Sequence, residues 1–478
     1  MPVSTTRQDY DKKAKAWCKM RDVIAGCDAI QNAGEKYLPK LSGQDKTEYD
    51  AYLKRGVFFN ATGRVVDALS GMVFRKEPDV KVPAGLKPIV EDITLNGVPL
   101  NQFSEQIVEE LLSTTRSGVL VDFPTVTPEE GKVLTVDVAE KNGLRVYARL
   151  YKAETIINWR TTQVGGKTIL SLVVLKEENE IVDVADKFSV KCVCVYRVLE
   201  LVNGVYTQTV YENYDDKKPT EGEQIIPKMN GKPLAYIPFV FFGAQGNTPD
   251  IDEPVLYDLA VLNLAHYRNT ADMEHGLHYT GLPTAVISGV SDKDATFFIG
   301  SGKAWVFGDP QAKAEFLEFK GEGLGSLNTA IERKEAQMAA LGANMLAPEK
   351  KAAETTDTIT NKRQGETSML ASIANATSRG ITRVLQIMAE WSKVSGEIGF
   401  KLNTEYNVNQ LSAQEITALI QAVMTGNISK ETLFDTLVKG DAIATTRTFE
   451  EEQTLIDNQP IPAPAAPAND NGKKSAAA

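Results

Sequence analysis

Residues 324–345 read LGSLNTAIERKEAQMAALGANM. Leu324, Leu327, Ile331, Lys334, Met338, Leu341 and Met345 alternate strictly at three and four residues, with one charged interruption. That spacing makes a narrow, coiled-coil-like seam, whereas a helix sunk in a globular core needs a broader apolar face. The helix is therefore built to meet one neighbouring helix. A partner lies upstream, where about Pro254 to Tyr279 predicts a helix roughly 40 Å long. Its seam begins apolar (Val255, Leu259, Leu262), turns polar (His266, Asn269) and stops at Gly281 and Pro283. Between the two helices, Thr284–Ile287, Phe297-Phe298, Trp305–Phe307 and Phe316–Phe319 predict a compact β-rich segment. Two long helices bracketing a small β module predict a hairpin projecting from a larger body.

Downstream, the polar loop Ala347–Asp357 leads into a still longer helix, from about Thr358 to Lys393, with the stripe Met369, Leu370, Ile373, Thr377, Ile381, Val384, Leu385, Met388 and Trp391. Gly380 inside it predicts a mild kink, since glycine weakens a helix by up to ~1 kcal/mol. Ser412 with Glu415 forms a capping box, and Ser429 with Thr432 opens the next helix. From Gln459 the chain is rich in Pro and Ala and then basic, a composition that predicts disorder.

Upstream, the first hundred or so residues predict helices. Trp17, Met20, Ile24 and Cys27 form one stripe, a polar helix runs from about Asp45 to Val57, and another from about Ala61 to Phe74 ends at Pro78. A helix over Phe103–Thr115 feeds a short strand, Val119–Phe123. From about Arg145 to Phe242 the period becomes strand-like. Asn203-Gly204 marks a tight hairpin, because that turn requires positive φ at both central residues, and Gly165-Gly166 marks a second. Strands joined by tight turns pair antiparallel, which excludes the crossover units of a nucleotide-binding sheet here. The fold class expected is α+β.

The chain has 478 residues, 42% of them hydrophobic and 24% charged, an ordinary folded composition. Lys and Arg total 52 against 63 Asp and Glu, a net charge of −11. That opposes a protein whose main task is gripping nucleic acid through clustered cations, but not one that lets it pass. No apolar run approaches the ~18 residues a membrane span needs, and the polar Met1–Asp11 stretch lacks a signal core. The four cysteines, Cys18, Cys27, Cys192 and Cys194, are too few for a disulfide framework and are expected to be small buried hydrophobes.

Candidate chemistry is sparse. Gly321, Gly323 and Gly325 lie between strand and helix, where a phosphate loop would sit, but Ser326 occupies the place of the third fingerprint glycine and no Walker motif exists. A hinge is the better reading. His266, His275 and His278 fall in one window, and the last two share a helix face, so a metal site competes there with plain polar packing; no HExxH pattern supports the metal. No nucleophile elbow, reactive cysteine or carboxylate pair stands out. No catalytic residue, metal or cofactor is expected. Lys350-Lys351, beside Glu349, is either a solvated charge pair or part of a mobile loop touching a polyanion.

The order of parts resembles the portal (head-to-tail connector) proteins of tailed bacteriophages. The stretches carrying the resemblance are Tyr37-Leu38-Pro39-Lys40-Leu41-Ser42-Gly43; Phe58-Phe59-Asn60-Ala61-Thr62, leading to Leu69-Ser70-Gly71-Met72-Val73-Phe74-Arg75-Lys76; Asn263-Leu264-Ala265-His266-Tyr267-Arg268-Asn269 with Glu274-His275-Gly276-Leu277-His278-Tyr279-Thr280-Gly281; and Ala352-Ala353-Glu354-Thr355 through Arg363. The resemblance implies a wing over 1–252, with a helical N-terminus and an antiparallel β region. It implies stem helices over 253–282 and 323–346, a clip over 283–322 and a tunnel loop over 347–357. A long helix over 358–395, a helical crown over 396–458 and the tail at 459–478 complete it.

It further implies a ring, typically of twelve subunits, at one vertex of the virion, assembled in the host cytoplasm and without enzymatic activity. Double-stranded DNA would pass through the ring during packaging and ejection. Partners would be the terminase large subunit, the major capsid or scaffolding protein, and a tail or adaptor protein, with no membrane involved. Leu324, Leu327, Ile331, Met338 and Leu341 would pack the stem, Phe297, Phe298 and Trp305 would make clip contacts, and Glu349, Lys350 and Lys351 would lie on the tunnel loop. A metal- or nucleotide-dependent enzyme, or a different virion head or adaptor protein, are the competing readings.

Overall fold

Helical spacing and side-chain caps together set the N-terminal elements. α1 (Gln8–Ala25) and α2 (Cys27–Ala33) are separated at Gly26, whose φ is +92°, a conformation that favours glycine. That break resets the helix, so the buried stripe is Trp17, Met20 and Val23 followed by Ile30, not one running through Ile24 and Cys27. α3 (Lys46–Arg55) opens on a reciprocal capping box between Asp45 and Glu48. It buries Tyr49 and Tyr52, so the segment read as polar has an aromatic face. α4 (Ala61–Val73), capped by the Asn60 side chain, buries Val66, Leu69 and Val73. After β1 (Asp79–Lys81) and α5 (Lys87–Glu91), α6 (Leu100–Thr114) buries most of its length and feeds β2 (Arg116–Asp122).

The structure, a computed structural model, describes residues 2–124, 144–182, 186, 188–212, 219–281, 284–289, 297, 305–307, 310–317, 321–345, 368–406, 413–425, 427–439 and 448–458. These fall into two units, Met1–Thr404 and Glu405–Ala478.

β2 is buried along its whole length and pairs antiparallel with β3 (Tyr147–Lys152). It starts at Arg116, ahead of the expected Val119, because Arg116, Ser117 and Gly118 are already paired with β11 (Phe239–Gly243) and enclosed. A second, five-stranded sheet follows in simple meander order: β4 (Ile156–Val164), β5 (Lys167–Val182), β6 (Val190–Val202), β7 (Val205–Glu212) and β8 (Thr220–Ile225). Asn203 and Gly204 have φ of +52° and +78°, and Gly165 and Gly166 +56° and +79°, the geometry both tight turns require. β9 (Lys228–Met229) and β10 (Lys232–Pro233) form a small hairpin. β11 (Phe239–Gly243) then returns to pair with the other side of β2, Phe239 opposite Leu120.

α7 (Tyr257–Gly281), β12 (Thr284–Ser288), β13 (Lys313–Leu317) and α8 (Leu324–Asn344) follow, then α9 (Met369–Ser392) and β14 (Gly399–Lys401). α9 buries Leu370, Ile373, Thr377, Ile381, Val384, Leu385 and Met388. At Gly380 a Cβ would stand 2.2 Å from the Phe242 ring, so the glycine lets α9 close onto β11. β14 pairs with β1, Asp79 opposite Lys401, and so is a strand within the segment expected to be helical. The second unit holds α10 (Ala413–Met424), α11 (Lys430–Lys439) and α12 (Phe449–Asp457). Ser429 Oγ accepts from the Thr432 N–H and caps α11, and Thr448 and Glu451 cap α12 reciprocally. Ser412, the Glu415 side chain, residues 358–367 and the tail from 459 lie outside the described residues.

Helices and antiparallel sheets are segregated along the chain, so the fold is α+β. The cysteines depart from expectation. Cys18 and Cys192 are exposed and Cys27 and Cys194 half-buried, all with free thiols. Cys18 sits beside Lys36 Nζ, 3.2 Å away, on the solvent face of α1. Cys192 lies opposite Glu180, where the β5–β6 hairpin runs on beyond the part of β6 that β7 pairs.

Candidate functional site

The helix pair with its β module is built from the core outward. The first half of α7 is locked into the helical body by a polar anchor as well as by packing. Asn263 is fully buried; its Oδ1 accepts from the backbone N–H of Thr62 (3.1 Å) and from its hydroxyl (3.0 Å), and its Nδ2 donates to Phe59 O (2.8 Å). Tyr267, also fully buried, meets the Phe58 ring edge-on at 5.8 Å. Arg268 Nε donates to Tyr37 O (2.9 Å), and Tyr52 OH donates to Asp272 Oδ1 (2.6 Å). The buried residues of α7 are Leu259, Ala260, Asn263, Leu264, His266, Tyr267 and Ala271, a broad face, so the expected seam through Val255, Leu259 and Leu262 is replaced in its first half by packing on α1, α3 and α4. Beyond Ala271 no residue of α7 is buried, and the helix leaves the core.

α8 runs back antiparallel along α7. Leu324 packs on Gly276, where a Cβ would stand only 2.7 Å from Leu324 Cδ2, and Glu335 Oε1 lies 3.2 Å from His266 Nε2. Gly342 reaches Val65 of α4. Leu324, Leu327, Ile331, Lys334 and Leu341 are half-buried, Met338 and Met345 are buried, and the faces away from this line are exposed, Ala336, Ala339, Ala340 and Ala343 among them. Gly321 takes φ of +65° at the entrance to α8, and its carbonyl accepts from Leu324 N–H (2.9 Å), so this glycine turns the chain into the helix.

The far end carries β12 and β13, paired antiparallel from Thr284 opposite Leu317 to Ser288 opposite Lys313. Trp305–Phe307 is not a strand. Phe297 instead gathers Trp305 at 5.8 Å and Phe307 at 5.6 Å between ring centroids, so these aromatics meet one another. Phe298, the loop 347–357 and with it Glu349, Lys350 and Lys351 lie outside the described residues.

The histidine window does not bring three ligands together among the described residues, although His278 lies near His275. His275 lies between the rings of Tyr52 (5.0 Å) and Tyr279 (4.8 Å), with Arg55 Nη1 at 3.4 Å; burial first, then the Arg55 charge, lowers its pKa. His266 is buried under Glu335 on another turn. Among the described residues no group of three or more His, Cys, Asp and Glu side chains could hold a metal, and no helix is long and apolar enough to cross a membrane. The reading from sequence missed Asn263 as an anchor, since one asparagine in a helical stripe gives no signal until its turn partner, Phe59–Thr62, is seen beside it.

A family model described as a domain of unknown function, DUF4055, matches residues 255–392, the stretch holding α7, the β module, α8 and α9. No curated protein matches the chain. Among solved structures, the chain is similar to one from the neck of a native GTA particle computed with C12 symmetry, at 10% identity and a TM-score of 0.38, covering 81% of this chain and 92% of that one. It is similar to one from the virion of a native gene transfer agent particle, at 12% identity and TM-score 0.36, covering 91% and 99%. A third, from the neck of an empty GTA particle computed with C6 symmetry, gives 11% identity and TM-score 0.37, covering 87% and 99%.

Proposed function

We propose that the chain is the subunit of a ring-forming head-to-tail connector of a phage-like virion, a structural conduit for double-stranded DNA. The supporting observation is the pair α7–α8. It is rooted in the core at Asn263 and Tyr267, where α7 packs on α1, α3 and α4, is joined to α8 along one narrow seam, and beyond Ala271 has no buried residue in α7. Such a pair is short of partners as a monomer, and identical copies side by side would supply them. Contacts that close into a ring are heterologous, so the two flanks of each subunit must differ. The alanine-rich outer face of α8 would allow a neighbouring helix close approach.

In this reading Leu324, Leu327, Ile331, Met338 and Leu341 hold the two stem helices together. Phe297, Phe298 and Trp305 belong to a clip that meets neighbouring subunits and docks the terminase large subunit or a tail or adaptor protein. The wing side would face the major capsid or scaffolding protein at one vertex. Glu349, Lys350 and Lys351 sit on a loop facing the channel. A net charge of −11 suits a wall along which phosphate slides without sticking, and a few lysines suit transient holding. The mechanism is mechanical; no group is asked to do chemistry.

The test is to shorten the 347–357 loop in a packaging-competent particle. DNA packaging or retention should fall while particles still assemble with the protein incorporated. Unchanged packaged DNA would contradict the role given to the loop.

A further inference from the structure

We propose that the open half of the β4 edge, with the cleft it runs into, binds an extended acidic segment of another protein by strand addition. β4 is the outermost strand of the five-stranded sheet, paired only with β5. Its first half is already covered by the chain's own N-terminal residues. Arg7 N–H donates to Ile157 O (3.0 Å), Arg7 Nη1 donates to Trp159 O (2.9 Å), and Asn158 Nδ2 donates to Thr5 O (3.0 Å). Past Trp159 this cover ends. Arg160–Val164 are all exposed, and among the described residues nothing pairs with their backbone on the open side. An unpaired edge of this kind is a template for another strand.

The edge adjoins two hollows. One of about 730 Å³ is lined by Arg160, Thr161 and Thr162 of β4 and reaches over the sheet face across Ser171 of β5 to Leu201 and Gly204 at the β6–β7 turn. It continues, through Arg7, Thr161 and Ile169, into a cleft of about 660 Å³ with Trp159, Phe239 and Phe241 on its floor. Arg379 and Arg383 of α9 form the far wall. Four arginines therefore line the path, Arg7, Arg160, Arg379 and Arg383, against one carboxylate, Asp250, in a chain whose acids outnumber its bases 63 to 52.

Three of the four lean on carboxylates set back from the lining: Arg7 on Asp9 (3.0 Å), Arg160 on Glu200 (3.6 Å) and Arg383 on Glu390 (3.3 Å). Arg379 donates only to Gln245 O at 3.4 Å and has no carboxylate partner among the described residues. Beneath the floor, Arg116 stacks on Trp159 (4.1 Å) and Phe241 (4.7 Å), with Nε and Nη2 unpartnered. Arg379, without a carboxylate partner among the described residues, is the charge that favours an anionic ligand. The strand edge, offering alternate N–H and C=O groups, selects a peptide backbone over the sugar-phosphate chain of a nucleic acid.

The test uses the full chain and a fluorescent, end-capped octapeptide of alternating Val and Glu, read by anisotropy. Saturable binding is expected, with a Kd raised at least tenfold in the double variant Arg379→Gln/Arg383→Gln, whose Tm serves as the folding control. N-methylation of alternate peptide amides, which removes the pairing donors, should abolish binding, and a Val/Lys octapeptide should not bind. Absence of saturable binding, equal binding of the Lys or N-methylated peptide, or displacement of the peptide by a short DNA strand at comparable affinity would each overturn the proposal. Ring assembly is read separately by particle mass, so failure here leaves the connector reading untouched.

Discussion

Glu177 is 2% exposed at its side chain and accepts four hydrogen bonds: from Arg197 Nε (2.6 Å) and Nη2 (3.2 Å), Arg149 Nη1 (3.1 Å) and Tyr151 OH (2.6 Å). Burial pushes its carboxyl up, but the bonds and charge of Arg197, with Tyr151 and Arg149, outweigh that and hold it below its ordinary value. A depressed folded pKa contributes stability that is present above the unfolded value, near 4.3, and is lost as pH falls through the lower folded one. Glu177→Gln should therefore cost on the order of 3 kcal/mol at neutral pH, where the arginines lose their counter-charge, and the gap to the parent should narrow below pH ~4. Urea unfolding at pH 7 and pH 3.5 measures this; an equal cost at both would contradict it. Nearby Asp122 behaves in the opposite sense. It accepts from Phe123 N–H (2.9 Å) and Gln208 Nε2 (3.2 Å), yet burial dominates and holds its carboxyl above the ordinary value. Its ionised form opposes folding, so Asp122→Asn should raise Tm at pH 7, with the gain shrinking as the pH is lowered through that raised pKa. A drop in Tm at pH 7 would show that its two bonds outweigh its burial.

At the scale of elements, two glycines set how closely helices approach their neighbours. Gly380 faces Phe242 and Gly276 faces Leu324. Gly380→Ala gains up to ~1 kcal/mol of helix propensity but forces the Phe242 ring aside, and overpacking of that kind costs about 1–3 kcal/mol, so a net loss of stability is expected in urea melts. Met338, 3% exposed, is the buried residue of the α8 stripe. Met338→Ala should cost about 2 kcal/mol or more and speed amide exchange in α8 and the second half of α7 while leaving β2 and β11 protected. Uniform loss of protection would mean that the pair does not open on its own. These elements also show where the sequence was readable. The α8 seam was visible because α7, its main neighbour, imposes one period, and the hairpins at 165–166 and 203–204 because their turns demand particular residues. The buried face of α7 was not, since three helices share it and a fully satisfied asparagine stands in its stripe. β14 was not either, because its partner β1 is far away in the chain and three residues carry no period. The start of β2 hid behind an arginine that pairs with carbonyls and stacks on rings in the interior.

At the scale of the molecule, the body carries a helix pair in which α7 has no buried residue beyond Ala271, and a strand edge that is covered over only half its length. Both are places where further chains would complete the structure, and neither is visible from composition alone. The acidic balance bears on the first. If copies line a channel, their common charge makes assembly sensitive to ionic strength, and rings should form more readily as salt screens the repulsion over a Debye length of about 8 Å near 0.15 M. Light scattering across a salt series would record that trend, and easier assembly at the lowest salt would run against it. The most direct test of the central claim is the mass of the purified full-length protein at micromolar and higher concentration, with images of the same sample in negative stain. The account predicts a closed annulus of many copies with a central hole wide enough for a DNA duplex. A monodisperse monomer or dimer at every concentration and salt would contradict it.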